Sequence, residues 1–421
     1  MKKILVISWF YPPINSSEGL VTYKLINNSQ YTYDVFTQKG NTLWSYGNNM
    51  DFKNHENVHS VFAKSDTIDG WVEEAVEYFS AHASEYDIIM TRSMPQESHI
   101  AGRRIKEKFP HVKWIAGFGD PVDNNPYLHI SCMSYGINST KNLINRNFTL
   151  RQKLNPKRAL KNLYWNLRNR RAIKERNTLK KIEFSTFKLA DKIILNNESQ
   201  KKFMLRGKEQ FENKVLVIPH SFDETFYDKK IPKKHEKMRF VFVGHLDEIR
   251  NVNPLLKALA ALKEELPDLA EKAEFFFYGD MGPTDKLTII DHELFDMVKL
   301  KKPVSYTESL AIMQDADWLI HADGNVQQAV DENIFFAAKI ADYFGSGTPI
   351  LAVSMQEGAI IHILRGSNSL VLSYSAEEIK NYLYLILEQG YTLVPNKDFI
   401  AAFESKRAAA EFDKCIPELL K

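Results

Sequence analysis

Three stretches of the chain set charged residues and glycines where a phosphate or a sugar could use them. In the first, the apolar run 240–243 leads into Gly244-His245-Leu246-Asp247-Glu248-Ile249-Arg250-Asn251, with Asn253 capping and Pro254 opening a helix. A cation at a helix N-terminus opposes the helix dipole but suits a pyrophosphate, so Arg250 has two readings, a phosphate-binding arginine and a solvated one. In the second, an apolar strand ends in Tyr11-Pro12-Pro13, and Ser16-Ser17-Glu18-Gly19 opens a helix carrying Val21, Leu25 and Ile26. Gly19 lets a ligand approach the backbone, and the free N–H groups of a helix start suit phosphate. In the third, Asp331-Glu332-Asn333-Ile334-Phe335-Phe336-Ala337-Ala338-Lys339-Ile340-Ala341-Asp342 runs on to Gly347-Thr348-Pro349 and reads as loop, helix, glycine stop and buried strand. Carboxylates at both ends of one short helix can accept hydrogen bonds from sugar and ribose hydroxyls. The alternative is helix-terminal charge at Asp331 and Glu332 with an exposed Asp342.

The elements that must position these residues follow from length and periodicity. A chain of 421 residues fits two domains of about 200 residues with a cleft between them. Short β-rich runs at 3–8, 34–37, 58–63, 88–91, 114–117, 192–196 and 215–218 alternate with amphipathic stretches, and the pattern resumes at 239–244, 274–278, 316–321, 349–353 and 369–372. Such alternation predicts an α/β fold, two doubly wound parallel sheets covered by helices on both faces. The Lys-rich, polar segment 223–236 is the predicted linker, placing one domain at 1–222 and the other at 237–398, with a last helix at 399–421.

Composition narrows the class. Apolar residues are 44% and charged residues 26% of the chain, the balance of a globular protein. The start runs into Tyr-Pro-Pro instead of a small-residue cleavage site and no apolar run reaches membrane-spanning length, so the expected location is the cytoplasm. The two cysteines, Cys132 and Cys415, lack disulfide or zinc spacing. The net charge of +2 hides a basic stretch, 138–192, opposed only by Glu175, Glu183 and Asp191. Within it Leu160, Leu163, Tyr164 and Leu167 recur at helical spacing beside an Arg run, which suits an anionic membrane leaflet; a solvated helical hairpin is the alternative. No interleaved stacking aromatics point to a nucleic acid. No G-x-G-x-x-G opens a helix after a strand, which argues against a dinucleotide enzyme.

From 240 to about 372 the sequence resembles retaining glycosyltransferase family 4. The resemblance rests on Phe242-Val243-Gly244-His245 with Arg250-Asn251, on Phe277-Tyr278-Gly279, on Ala316-Asp317-Trp318-Leu319, and on Lys339-Ile340-Ala341-Asp342-Tyr343 through Gly347-Thr348-Pro349-Ile350. The first half is similar more loosely, through Tyr11-Pro12-Pro13 with Gly19 and through Gly117-Phe118-Gly119-Asp120-Pro121 followed by Asn125-Pro126-Tyr127. The resemblance implies a GT-B fold with an N-terminal acceptor domain, a C-terminal donor domain and a final helix crossing back. It implies that Asp342 holds a ribose, that Arg250 holds the donor pyrophosphate with help from Gly19, Gly244 and His245 or Lys339, and that Glu332, Asn333, Ile334 and Phe335 lie near the donor sugar. Two positions depart from the family's pattern: His245 stands where an Arg is common, and Ile334, eight residues before Asp342, replaces the first of two paired glutamates.

The activity so implied moves a sugar from a UDP- or GDP-type sugar nucleotide to a hydroxyl of a glycan or lipid-linked glycan, with retention and without a metal or other cofactor. Asp120 and His99 are the acceptor-side candidates; the alternative for His99 is an ordinary histidine near a helix start. Sugar-nucleotide epimerisation on the same fold, and a non-catalytic nucleotide binder, are the rival readings.

Overall fold

The computed structural model describes residues 3–39, 53–127, 170–227 and 235–421. Runs such as Lys-Ile-Leu-Val-Ile in β1 (Lys3–Ile7) are apolar on both faces, and a parallel sheet covered on both sides takes such runs. Ile4 to Ile7 are correspondingly no more than 2% exposed.

The first sheet contains β1, β2 (Tyr33–Thr37), β3 (Val58–Phe62), β4 (Tyr86–Ser93), β5 (Lys113–Phe118), β6 (Lys192–Leu195) and β7 (Val215–Val217), in the order β3-β2-β1-β4-β5-β6-β7. The second contains β8 (Met238–Val243), β9 (Ala273–Tyr278), β10 (Val298–Lys301), β11 (Trp318–Ala322), β12 (Ile350–Val353) and β13 (Leu370–Leu372), in the order β10-β9-β8-β11-β12-β13. All the pairings within both sheets are parallel. In each sheet the strand order reverses beside the first strand, between β1 and β4 and between β8 and β11. Loops part there at the C-terminal strand ends and leave a crevice for ligands.

Strand positions agree with the sequence reading to within a few residues, with one omission. β10 was not expected, because Val-Lys-Leu-Lys is short and half charged; it is an edge strand, where exposed lysines discourage pairing with another chain. The helix expected from Asp331 starts only at Ala338 and ends at Ser346. Ahead of it the Asn333 side chain accepts the Phe335 N–H at 2.9 Å, a local turn that competes with helix formation. Asn253 is likewise not a cap. It is the first residue of helix Asn253–Glu265, and its amide donates to Thr288 Oγ1.

Of the basic stretch, 138–169 lies outside the described residues. Helix Arg170–Leu189 is fastened to the body of the protein through Glu183, 1% exposed, which pairs with Lys208 and accepts the Val122 and Asp123 N–H groups at 3.0 and 2.9 Å. No described helix is long and apolar enough to cross a membrane.

The chain passes between the sheets twice at one place: the Phe222 N–H donates to Phe403 O at 3.0 Å and the Ser405 N–H to Phe222 O at 2.8 Å. Helix Ser405–Leu420 then returns to the first sheet. Its Ala408, Ala409, Phe412, Cys415, Ile416 and Leu419, at helical spacing, complete a core with Ile4, Val6, Leu25 and Tyr33. Phe412→Ala is expected to lower stability by about 3–5 kcal/mol. Denaturant unfolding measures this; a loss below about 1 kcal/mol would mean the helix is dispensable to the core.

Candidate functional site

The crevice of the second sheet gathers two cations. Gly244 follows β8 at φ +131°, where a side chain is strained, and a Cβ there would fall 2.7 Å from Lys339 Nζ. Helix Ala338–Ser346 carries Lys339 in its first turn, so the ammonium stands at a helix N-terminus beside the end of β8. Its Nζ is buried, lies 3.9 Å from the Phe242 ring centroid and has no hydrogen-bond partner among the described residues. Burial first, and Arg250 second, hold its pKa well below the ordinary lysine value, against an opposing pull from Asp323.

Arg250 is set by its loop, in which Asp247 Oδ1 accepts the Ile249 and Arg250 N–H groups, both at 2.7 Å. Its Nη2 donates to the Tyr127 hydroxyl at 3.2 Å, while Nε has no partner among the described residues. Burial opposes its charge, but Tyr127, Asp323 and Asp120 more than offset that and hold the guanidinium firmly protonated. Asp323, just past β11, accepts from Asn333 Nδ2 at 2.9 Å and Ser354 Oγ at 2.6 Å, and His321 Nε2 lies 2.9 Å from its other oxygen. Burial alone would raise its pKa; His321, Ser354 and Arg250 outweigh burial and lower it.

Across the crevice, the first domain contributes Tyr127, whose ring packs 4.2 Å from that of Phe335 and against Gly324. Gly19 lies in the first turn of helix Ser17–Asn27, close enough that a Cβ would meet the Tyr11 backbone at 3.1 Å; close packing alone requires the glycine. The neighbouring Glu18 lies flat on Gly119 and pairs with Arg92 at 3.2 Å. Burial, opposed by Arg92 and reinforced by Asp120, pushes the Glu18 carboxyl up to about 7. Asp120 is partly exposed and is raised above the usual carboxylate value by burial, against the pull of Arg250.

The structure therefore brings Gly244, Arg250, Lys339 and Asp120 to one crevice and sets other expected residues elsewhere. His245 is exposed at the loop surface. Glu332 does not stand free for a sugar: Ser199 Oγ and Lys202 Nζ bind its carboxylate at 2.8 and 2.7 Å. Asn333 braces Asp323, its own N–H donates to Glu357 O, and the Ile334 carbonyl accepts from Asn197 Nδ2 at 2.9 Å. Ile334 and Phe335 are buried in an apolar cluster with Val326, Val330 and Met355. Asp342 is 3% exposed and bound by Lys24, Tyr306 and Tyr227. His99 is fully buried, bonded to Thr91 Oγ1 at 2.8 Å and packed against Phe118; no acceptor can touch it.

Lys24, Arg92, Asp323, Tyr227 and Tyr306 went unnoticed in the sequence, and Glu18 was quoted only as part of a helix start. The signal available for Lys24 was a lysine set between Tyr23 and Leu25 in an apolar helix. Among the described residues, no three His, Cys, Asp or Glu side chains gather as a metal site.

No family model and no curated protein matches the sequence. Solved structures do match over the whole chain. The sucrose-phosphate synthase of Thermosynechococcus elongatus is similar at TM-score 0.63 and 13% identity, covering 100% of this chain and 99% of its own. The UDP-forming α,α-trehalose-phosphate synthase of Burkholderia xenovorans, in complex with glucose-6-phosphate, is similar at 0.62 and 8%, covering 100% of both chains. The lipopolysaccharide outer core galactosyltransferase WaaB in its apo form is similar at 0.60 and 12%, covering 99% of both. The chain has the GT-B fold. In that fold two Rossmann-like domains face each other across a cleft, and here the crevice of the second domain is the one holding Arg250 and Lys339.

Burial lowers the His99 pKa to about 3, with Arg92 assisting, so His99 stays neutral in the folded chain and takes up a proton only on unfolding. The folded state accordingly loses stability as pH falls below about 6.5, at up to about 1.4 kcal/mol per unit from this residue. His99→Leu is expected to flatten that decline between pH 6.5 and 5, measured by denaturant unfolding. Identical slopes would show that His99 titrates normally in the folded chain.

Proposed function

We propose that the chain is a glycosyltransferase of the retaining family 4 type, with its nucleoside-diphosphate sugar held in the crevice of the second domain. The observation that carries the reading is the Lys339 ammonium, buried without a hydrogen-bond partner at a helix N-terminus and close to Arg250. Burial and Arg250 disfavour the charged form of Lys339 in the empty crevice, and a doubly anionic diphosphate would favour it, compensate Arg250 as well and complete their hydrogen bonds. Gly244 is the gap through which Lys339 meets the end of β8.

Transfer breaks the bond from the anomeric carbon to the diphosphate oxygen and forms one to an acceptor oxygen, whose proton passes to the departing diphosphate. The charge that develops falls on the leaving oxygens, where Arg250 and Lys339 act without the reorganisation water would need. No enzyme carboxylate forms a bond in this scheme, and no metal has a step in it. Asp120, partly exposed on the acceptor-domain wall and within the field of Arg250, is the group best placed to orient the acceptor hydroxyl. The donor is of UDP or GDP type, consistent with the name of the UDP-forming synthase of the same fold. A glycan or lipid-linked glycan at the inner face of the membrane is the proposed acceptor, with the basic stretch 138–192 as the membrane contact.

The purified chain is expected to be stabilised by one nucleoside diphosphate from a panel of UDP, GDP, CMP and NAD, by about 2.7 kcal/mol at 100 times its dissociation constant. Arg250→Ala and Lys339→Met should each weaken that binding by about 10- to 100-fold, the value of a charged hydrogen bond. A response to NAD alone, or to none of the panel, would overturn the reading. Product formation that does not depend on an added acceptor would favour epimerisation instead.

A further inference from the structure

Asp342 already has three donors around one oxygen. Lys24 Nζ lies 2.6 Å from Oδ1, Tyr306 OH 2.7 Å and Tyr227 OH 3.3 Å. Lys24 comes from helix Ser17–Asn27 of the first domain, Asp342 from helix Ala338–Ser346 of the second, and their side chains are 2% and 5% exposed. Tyr306 opens helix Tyr306–Asp315 and also lies under the Lys24 ammonium, 5.5 Å from ring centroid to Nζ. Tyr227 belongs to the segment joining the two sheets and donates as well to the Asp342 carbonyl. Burial first, then Asp342, holds both phenols protonated far above their ordinary value, so each remains a donor.

A buried ion pair adds little net stability over an apolar contact, yet removing one partner leaves a lone buried charge, which is strongly unfavourable. A pair built from two domains therefore acts on their arrangement: it is satisfied when the crevice is shut and broken when the domains part. Its position links it to the ligand. Asp342 is three residues beyond Lys339, about 4.5 Å further along the same helix. On the donor reading above, a diphosphate bound to Lys339 would leave its ribose within reach of Asp342 once that carboxylate is freed.

We propose that Lys24 is a positioning residue that holds Asp342 while the cleft is without donor and yields it to the ribose hydroxyls of the nucleoside diphosphate. The exchange rests on the donor site proposed above; the closure by Lys24 does not. Donor entry then requires the pair to open, so the ligand-free chain is mostly shut, and the observed association rate is scaled by the open fraction.

Small-angle scattering of the ligand-free full chain tests the closure. Lys24→Met should increase the radius of gyration, whereas Lys24→Arg, which keeps the charge, should stay near the original value. Stopped-flow binding of UDP or GDP, whichever stabilises the protein, should be at least about fivefold faster to Lys24→Met. A folded Lys24→Met with unchanged radius and unchanged association rate would overturn the proposal. If that variant does not fold, Lys24→Met with Asp342→Asn leaves no lone buried charge: a larger radius supports closure by the pair and an unchanged one overturns it. Faster binding without a change in radius supports the exchange and overturns the closure. Failure of both nucleotides to bind any folded variant overturns the donor reading and the exchange with it, while the scattering still decides the closure.

Discussion

Parallel strands can be joined only by crossovers, so each strand of a parallel sheet points its C-terminal end the same way and each crossover begins there. In this protein that constraint operates twice, and the loop leaving β5 meets those leaving β8 and β11 through Tyr127, which touches Arg250 and Gly324. The charges of those loops that are taken out of water there, Arg250 and Asp323 among them, must find partners within the cleft. The electrostatics of the site follow from this one geometric condition.

Glu332 is bound by Ser199 and Lys202, Asp342 by Lys24 and two tyrosines, and one oxygen of Asp323 by Asn333 and Ser354. At the crevice, Lys339 Nζ, Arg250 Nε and Asp323 Oδ1 have no hydrogen-bond partner among the described residues. A folded chain leaves few buried polar atoms unpaired, so a cluster of them at a sheet's reversal point is where a ligand would complete the bonding.

The first domain supplies a contrasting wall. Glu18 and Asp120 both have raised pKa values from burial, and Arg92 and Arg250 pull in the opposite direction. Two carboxyls set near two arginines suit a hydroxyl-bearing acceptor better than an anionic one.

The sequence by itself determined the elements. Apolar runs of strand length, helical spacing and a polar Lys-rich linker are local properties of the chain, and twelve strands, the two-sheet plan and the loop holding Gly244 and Arg250 were legible from them. β10 was not, because its residues answer to an edge position that only the assembled sheet defines. Lys339 and Asp342 were visible as a spacing on one helix, but the sequence could not say which would be occupied. That depended on Lys24, 318 residues before Asp342, and on Tyr127, 123 residues before Arg250. His99 likewise looked like acid–base chemistry until burial against Phe118 made it part of the core. A side chain's role is set by what removes it from water and what pairs with it there, and both arrive from distant parts of the chain only when the domains close.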